Sequence, residues 1–450
     1  MSKSSLYISI IAVVILAISA CSRKSDFVIG ENSELVRDNG SGTGTTTWTS
    51  DKTYLLDGFV FVNDGQTLTI EPGTVIKART GQGENASALI VARGGKLIAS
   101  GSSVNPIIFT CEGDDLEGSV PVFAKGLWGG LIILGNAPLN NEFNEGHIEG
   151  IPISEPRGIF GGPDPEDNSG IIRYVSVRHG GTNIGSENEI NGITFGGVGN
   201  KTTVEYIEVI SNNDDGIEFF GGSVDCRFVV SAFNGDDAFD CDLGYNGRGQ
   251  FWLGIQDPSE GDLLLECSGG IDPELGQPFT IPVLFNCTFI GRGSNITNRA
   301  VQFNNFAGGH LGNSILVNQH SGIYLQFKQN YNNSFDQFQM ENLVMQNNIF
   351  YNVASNVASD IFRVYAETGV NVDSYNQIIA AYFSDAQNVV SDPGIEITDT
   401  GYGILPSGNI TDNLVEVPDA WFNTVSYKGA FLYDDWARNW TLIHQSGWIY

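Results

Sequence analysis

The chain has 450 residues, of which 16% are charged, with 56 glycines, 15 prolines and a formal net charge of −30. That balance excludes nucleic acid and a bare anionic membrane surface as partners, because both need clustered lysine and arginine. Helical periodicity is nearly absent, and the many glycines and aromatic residues suit a β-rich body with tight turns.

Residues 1–20 read as a signal peptide, with Lys3 in a basic start and an apolar run from Leu6 to Ile18 that is too short to span a bilayer comfortably. The run ends Leu16-Ala17-Ile18-Ser19-Ala20-Cys21, which resembles the lipobox of bacterial lipoproteins. The resemblance implies cleavage before Cys21, lipidation of its thiol, and an outer-membrane lipoprotein exposed at the cell surface. Ser22-Arg23-Lys24-Ser25-Asp26-Phe27 is loosely similar to the acidic export signals of Bacteroidetes surface lipoproteins. Residues 21–47 end in Gly40-Ser41-Gly42-Thr43-Gly44-Thr45-Thr46-Thr47 and read as a flexible tether between lipid and body.

Residues 48–425 read as a solenoid. Short alternating runs such as TLTIEPGTVIKA and SALIVARGGKLIASGS carry Pro72-Gly73 and Gly94-Gly95 as turns. They are similar to the coils of right-handed parallel β-helices, and an all-β fold of that kind is expected. Residues 140–168 lose the apolar alternation and read as a long surface loop bordering the binding face, or else as a disordered insertion. From Ile171 the coils become regular, and a turn-to-strand unit recurs at 191–195, 215–219, 237–241, 299–303 and 321–325. The pattern loosens over 244–282. Residues 426–450 hold Trp436, Trp440 and Trp448 without the repeat, and are expected to cap the open end of the solenoid. Five cysteines follow Cys21, an odd count; Cys267 and Cys287 lie about one coil apart and either pair or stack.

The chemistry concentrates between Val204 and Asp242. A shift of 22 residues lays Asp214 on Asp236, Asp215 on Asp237 and Glu218 on Asp240. Residues of equal phase stack about 4.8 Å apart on neighbouring coils, so these six carboxylates form one patch. Such a patch repels itself unless protons, basic side chains or a metal intervene, and its hard oxygen donors suit calcium. The alternative is that the aspartates cap backbone amides of their turns. Asn298-Arg299 and His320-Ser321 share the phase of Asp214-Asp215, and Arg178, His179 and Asn213 fall nearby, so Arg178, His179, Asn213, Arg299 and His320 are the candidate binding residues.

Asn213-Asp214-Asp215-Gly216-Ile217-Glu218 and Gly235-Asp236-Asp237 resemble the NTDGID and GDD motifs of polygalacturonase-type glycoside hydrolases. That resemblance implies Asp215, Asp236 and Asp237 as the carboxylates of an inverting hydrolysis, which needs separations of roughly 6.5–9.5 Å. The histidine motif of those enzymes has only Gly308-Gly309-His310 as a displaced counterpart, and their substrate-holding RIK segment is missing. From Gly126 onward the chain resembles β-helix lipoproteins of Bacteroidetes. The expectation is a cell-surface lipoprotein that binds extracellular glycan, with calcium, at the acidic edge. Its rivals are a polyuronate-type hydrolase, and a structural or outer-membrane-transporter accessory whose turns bind ions.

Overall fold

A short strand with apolar residues at alternate positions has one face to bury and two unpaired edges, and coiling the chain on itself satisfies both needs. In the computed structural model, which describes residues 32–185 and 188–450, the chain winds as a parallel β-helix. The described residues form a ten-stranded sheet, running in chain order from Phe59–Val62 to Phe362–Tyr365, and an eighteen-stranded sheet. The larger sheet is bent along its length into two faces. The strand Gly170–Arg178 shows the bend: its first half pairs with Lys96–Ser100 and its second half with Ile107–Cys111. Each coil thus supplies three faces around one apolar interior.

The bend has a chemical signature. Tyr174, Tyr206, Phe228 and Phe251 sit at it with φ of 48°, 54°, 60° and 60°. Left-handed backbone costs an L-residue about 1–2 kcal/mol. The four rings stack outside the corner with centroids 4.4, 4.3 and 4.9 Å apart, and each stacked pair returns about 0.5–1.5 kcal/mol. Later coils place Asn286, Asn313 and Asn347 at this corner, a residue type that tolerates positive φ.

Inside, Phe195, Phe219, Phe239 and Trp252 stack along the axis. Each such side chain contributes about 1.5–3 kcal/mol by burial. Cys111, Cys226, Cys241, Cys267 and Cys287 are all buried free thiols. Cys267 is the register partner of Cys241 in the ten-stranded sheet, whereas Cys287 precedes Thr288–Gly293 in the other sheet. The expected neighbourhood of Cys267 and Cys287 is therefore not found.

Two boundaries differ from the sequence reading. The segment expected to be tether up to residue 47 already belongs to the solenoid: Ser33–Val36 pairs with Thr53–Leu56, and Thr46–Trp48 with Leu68–Ile70. Val36 and Trp48 reach the core, and Asp38 accepts the amides of Gly40 and Gly42 at 2.6 and 3.0 Å, which fixes the glycine-rich run as a turn. The signal peptide and Cys21 lie outside the described residues.

The aromatic tail, 426–450, runs along the flank of the solenoid rather than over its end. Trp436 and Trp440 meet the aromatic ladder edge-on, and the buried Glu208 carboxylate accepts the amides of Leu442 and Ile443 at 2.8 and 3.0 Å. The end of the stack is covered instead by the helix Asp373–Asp385, whose Phe383 packs against Phe350 and Phe362. The tail goes to the flank because the corner ladder offers it a ready apolar stripe.

Candidate functional site

Parallel in-register pairing turns the outer residues of the ten-stranded sheet into columns. In Ile217–Phe220 and Phe239–Asp242 the residues Ile217, Phe219, Phe239 and Cys241 fill the core, which sends Glu218, Asp240 and Asp242 outward. Register places Glu218 beside Asp240, Asp240 beside Glu266, Glu266 beside Gln302, and Gln302 beside Tyr324. The turns ahead of these strands carry Asp214-Asp215, Asp236-Asp237 and Asp262.

The carboxylates close into three overlapping trios, Asp214/Asp215/Asp236, Asp215/Glu218/Asp240 and Asp236/Asp237/Asp262. Within each trio, ligand oxygens lie within 4.8 Å of one another. The six residues expected to form a patch do so. Burial pushes the carboxyls of Asp215, Glu218, Asp237 and Asp240 well above the usual range, and the nearby charges that push further are other carboxylates: Asp237 on Asp215, Glu149 on Glu218, Glu266 on Asp237 and Asp242 on Asp240. Burial and then Glu149 raise Asp214 to about 7, and burial raises Asp242 to about 7 against the opposing amide of Leu243.

The turn-capping alternative is also present, on one oxygen of each inner aspartate. Asp215 Oδ1 accepts the amide of Asp237 at 2.9 Å, and Asp237 Oδ1 accepts that of Leu263 at 2.6 Å. Each keeps a second oxygen for the patch.

The candidate binding residues divide. Asn213 is exposed beside Asp214. Arg299 and His320 lie at the downstream end of the same face, lining a cavity of about 530 Å³ with Asp262, Asn298, Gln302 and Tyr324. The Arg299 guanidinium sits 4.6 and 4.3 Å from the ring centroids of Tyr324 and Tyr365. Arg178 and His179 do not join them. Arg178 ends a strand of the other sheet, 2% exposed, with Nε donating to Ser176 Oγ at 2.8 Å beneath the C-terminal tail. His179 is equally buried, with Nδ1 at 2.7 Å from the carbonyl of Ala124. His179 lies level with Ser211 on the next coil, its amide donating to the Ile210 carbonyl at 3.0 Å, but the segment around Ala124 and the tail cover this corner. His310 lies in Gly309–Gly312 of the eighteen-stranded sheet, so it is no counterpart of a histidine beside the acids.

Five contributors escaped the sequence reading: Asp242, Asp262, Glu266, Glu149 and Asn191. Asp262-Leu263-Leu264-Leu265-Glu266-Cys267 repeats Asp236-Asp237-Ala238-Phe239-Asp240-Cys241 at an offset of 26 rather than 22, and that offset was the available signal. Glu149 comes from the 140–168 loop, and Asn191 Nδ2 donates to it at 2.9 Å and to Glu218 at 2.5 Å.

The donor set fits calcium: carboxylates on neighbouring coils, no thiol or imidazole within the trios, and an Asn191 carbonyl oxygen that is buried without a hydrogen-bond partner. Searches of curated proteins and of solved structures find no match to the chain. Residues 40–392 match the family described as the pectate-lyase like beta helix domain. With that match spanning most of its length and the coils built as described, the chain belongs to the pectate-lyase-like β-helix family.

Proposed function

We propose that this chain binds extracellular glycan at the outer face of its ten-stranded sheet, with calcium held by the carboxylate columns, as a lipoprotein anchored through Cys21 at the outer-membrane surface. The observation that carries the reading is the set of three carboxylate trios whose strongest electrostatic neighbours are further carboxylates. Asp214, Asp215, Glu218, Asp236, Asp237 and Asp240 would hold the cation. Bound there, calcium offsets their mutual repulsion and offers positive charge to an acidic sugar that bare carboxylates would repel. Family membership supports a glycan-related role, and Arg299 with Tyr324 supplies a cation and a ring face beside the column.

Binding is favoured over inverting hydrolysis by the state of the three carboxylates that the hydrolase reading requires. Asp215 and Asp237 are 7% and 4% exposed and each commits an oxygen to a backbone amide, which leaves Asp236 alone open to solvent. The test is retention of the soluble body on immobilised acidic polysaccharides with calcium or with EDTA, beside a reducing-end assay on the same polymers. Calcium-dependent retention without new reducing ends is expected. Turnover, or retention indifferent to EDTA, would overturn the reading.

A further inference from the structure

Near the acidic columns the 140–168 loop, held elsewhere by Arg157 on Asp38 and Asn63 and by Arg93 on Glu145 and the Gly161 carbonyl, is fastened in two ways. Ile148, Ile151 and Phe160 pack on Ile90, Ile132 and Leu134, an ordinary apolar contact. The second fastening is polar. Glu149 reaches in from the loop until its carboxyl is within hydrogen-bonding reach of Glu218, and the Asn191 amide nitrogen bridges the two at 2.9 and 2.5 Å. Two carboxylates in that contact need a positive charge or a proton between them. One neutral amide cannot supply the charge.

Asn191 itself points to what does. It is 1% exposed, its side chain is aimed at both carboxylates, and its Oδ1 has no hydrogen-bond partner. A buried amide oxygen left unpaired forfeits the hydrogen bonds it would make to water. The oxygen and nitrogen of an asparagine amide are nearly isosteric, so a half-turn of the amide would place Oδ1 where Nδ2 now lies, against Glu149 and Glu218. The three oxygens would then form a hard-donor set. Glu218 also belongs to the Asp215/Glu218/Asp240 trio, which makes this set continuous with the columns.

We propose that a divalent cation held by Glu149, Glu218 and the Asn191 carbonyl ties the Glu149 stretch of the 140–168 loop to the coil stack, so that the order of that stretch follows cation occupancy. This rests on the cation reading above and adds to it a moving part. Without the cation the Glu149–Glu218 contact needs a shared proton, and once that proton is lost this part of the loop keeps only its apolar contact. With it, that stretch closes beside the acidic columns together with its exposed Ile153.

The test is amide hydrogen exchange across 147–153, with calcium chloride or EDTA, in wild type and in the Glu149→Gln and Asn191→Ala variants, alongside calcium calorimetry on all three. At calcium about ten times its Kd, wild-type exchange over this segment should slow roughly tenfold. Both variants should lose that slowing while still binding calcium at the remaining trios, and exchange in the coils should be unaltered. Calcium binding with no slowing of the loop, or slowing that survives in Glu149→Gln, overturns this inference and leaves the cation reading standing. Absence of any binding heat together with unchanged exchange overturns both.

Discussion

Asp215 Oδ1 on one coil accepts the backbone amide of Asp237 on the next at 2.9 Å, and Asp237 Oδ1 repeats the contact with Leu263. Each inner aspartate is therefore both a turn cap and part of a charged column, and the two roles separate by substitution. Asp215→Asn keeps an acceptor oxygen and removes the charge, so its unfolding free energy in EDTA should equal or exceed that of wild type. Asp215→Ala leaves the buried amide of Asp237 unpaired and should cost about 1–3 kcal/mol. Urea denaturation of the three proteins checks the order.

The raised carboxyls fix a pH dependence. Asp214 and Asp242 titrate at about 7 in the folded chain, against about 4 for an unfolded aspartate. The folded state then holds more protons than the unfolded state between these values, so stability falls as pH rises through that window. Thermal unfolding in EDTA should show Tm decreasing from pH 5 to pH 8. Calcium, which competes with those protons, should restore Tm most at pH 8. A Tm that rises across this window in EDTA would contradict the assignment.

The flank-bound tail depends on Glu208, whose buried carboxylate accepts from Ser176 Oγ at 2.5 Å as well as from the amides of Leu442 and Ile443. Glu208→Ala should weaken tail docking by about 2–3 kcal/mol, the usual worth of hydrogen bonds to a charged acceptor. Limited proteolysis should then cut within 436–450 while the coil stack resists.

Arg299 is held between Tyr324 and Tyr365 and bonded to Gln302. Arg299→Ala should lower affinity for an acidic glycan by about 1–2 kcal/mol, because a guanidinium on a ring face and on a carboxylate contributes in that range. It should leave the calcium isotherm unchanged, since Arg299 belongs to no carboxylate trio. Paired calorimetric titrations with calcium and with the glycan separate the two effects.

The coils were legible in the sequence because a period of 22 residues forces like residues into one column: the unit at 215–219 and 237–241 falls on adjacent strands in register. The same logic placed Arg299 and Ser321 correctly, one beside the other. It failed where coil length changes. Four extra residues stretched one coil, so Glu266 escaped although it pairs with Asp240. Phase also says nothing about what later covers a corner, and Arg178 and His179 were lost to a tail and a loop that are remote in sequence. Glu149 had no sequence signal because it reaches the column from outside the repeat.

The central claim is that the carboxylate columns bind a divalent cation, and calcium calorimetry on the soluble body tests it most directly, wild type beside Asp236→Asn/Asp240→Asn. Asp236 belongs to two trios and Asp240 to the third, so the double variant breaks every one. The account predicts a saturable calcium isotherm in wild type that is lost or greatly weakened in the variant, with both proteins folded by circular dichroism. No calcium heat in wild type, or an isotherm unchanged in the variant, would contradict it.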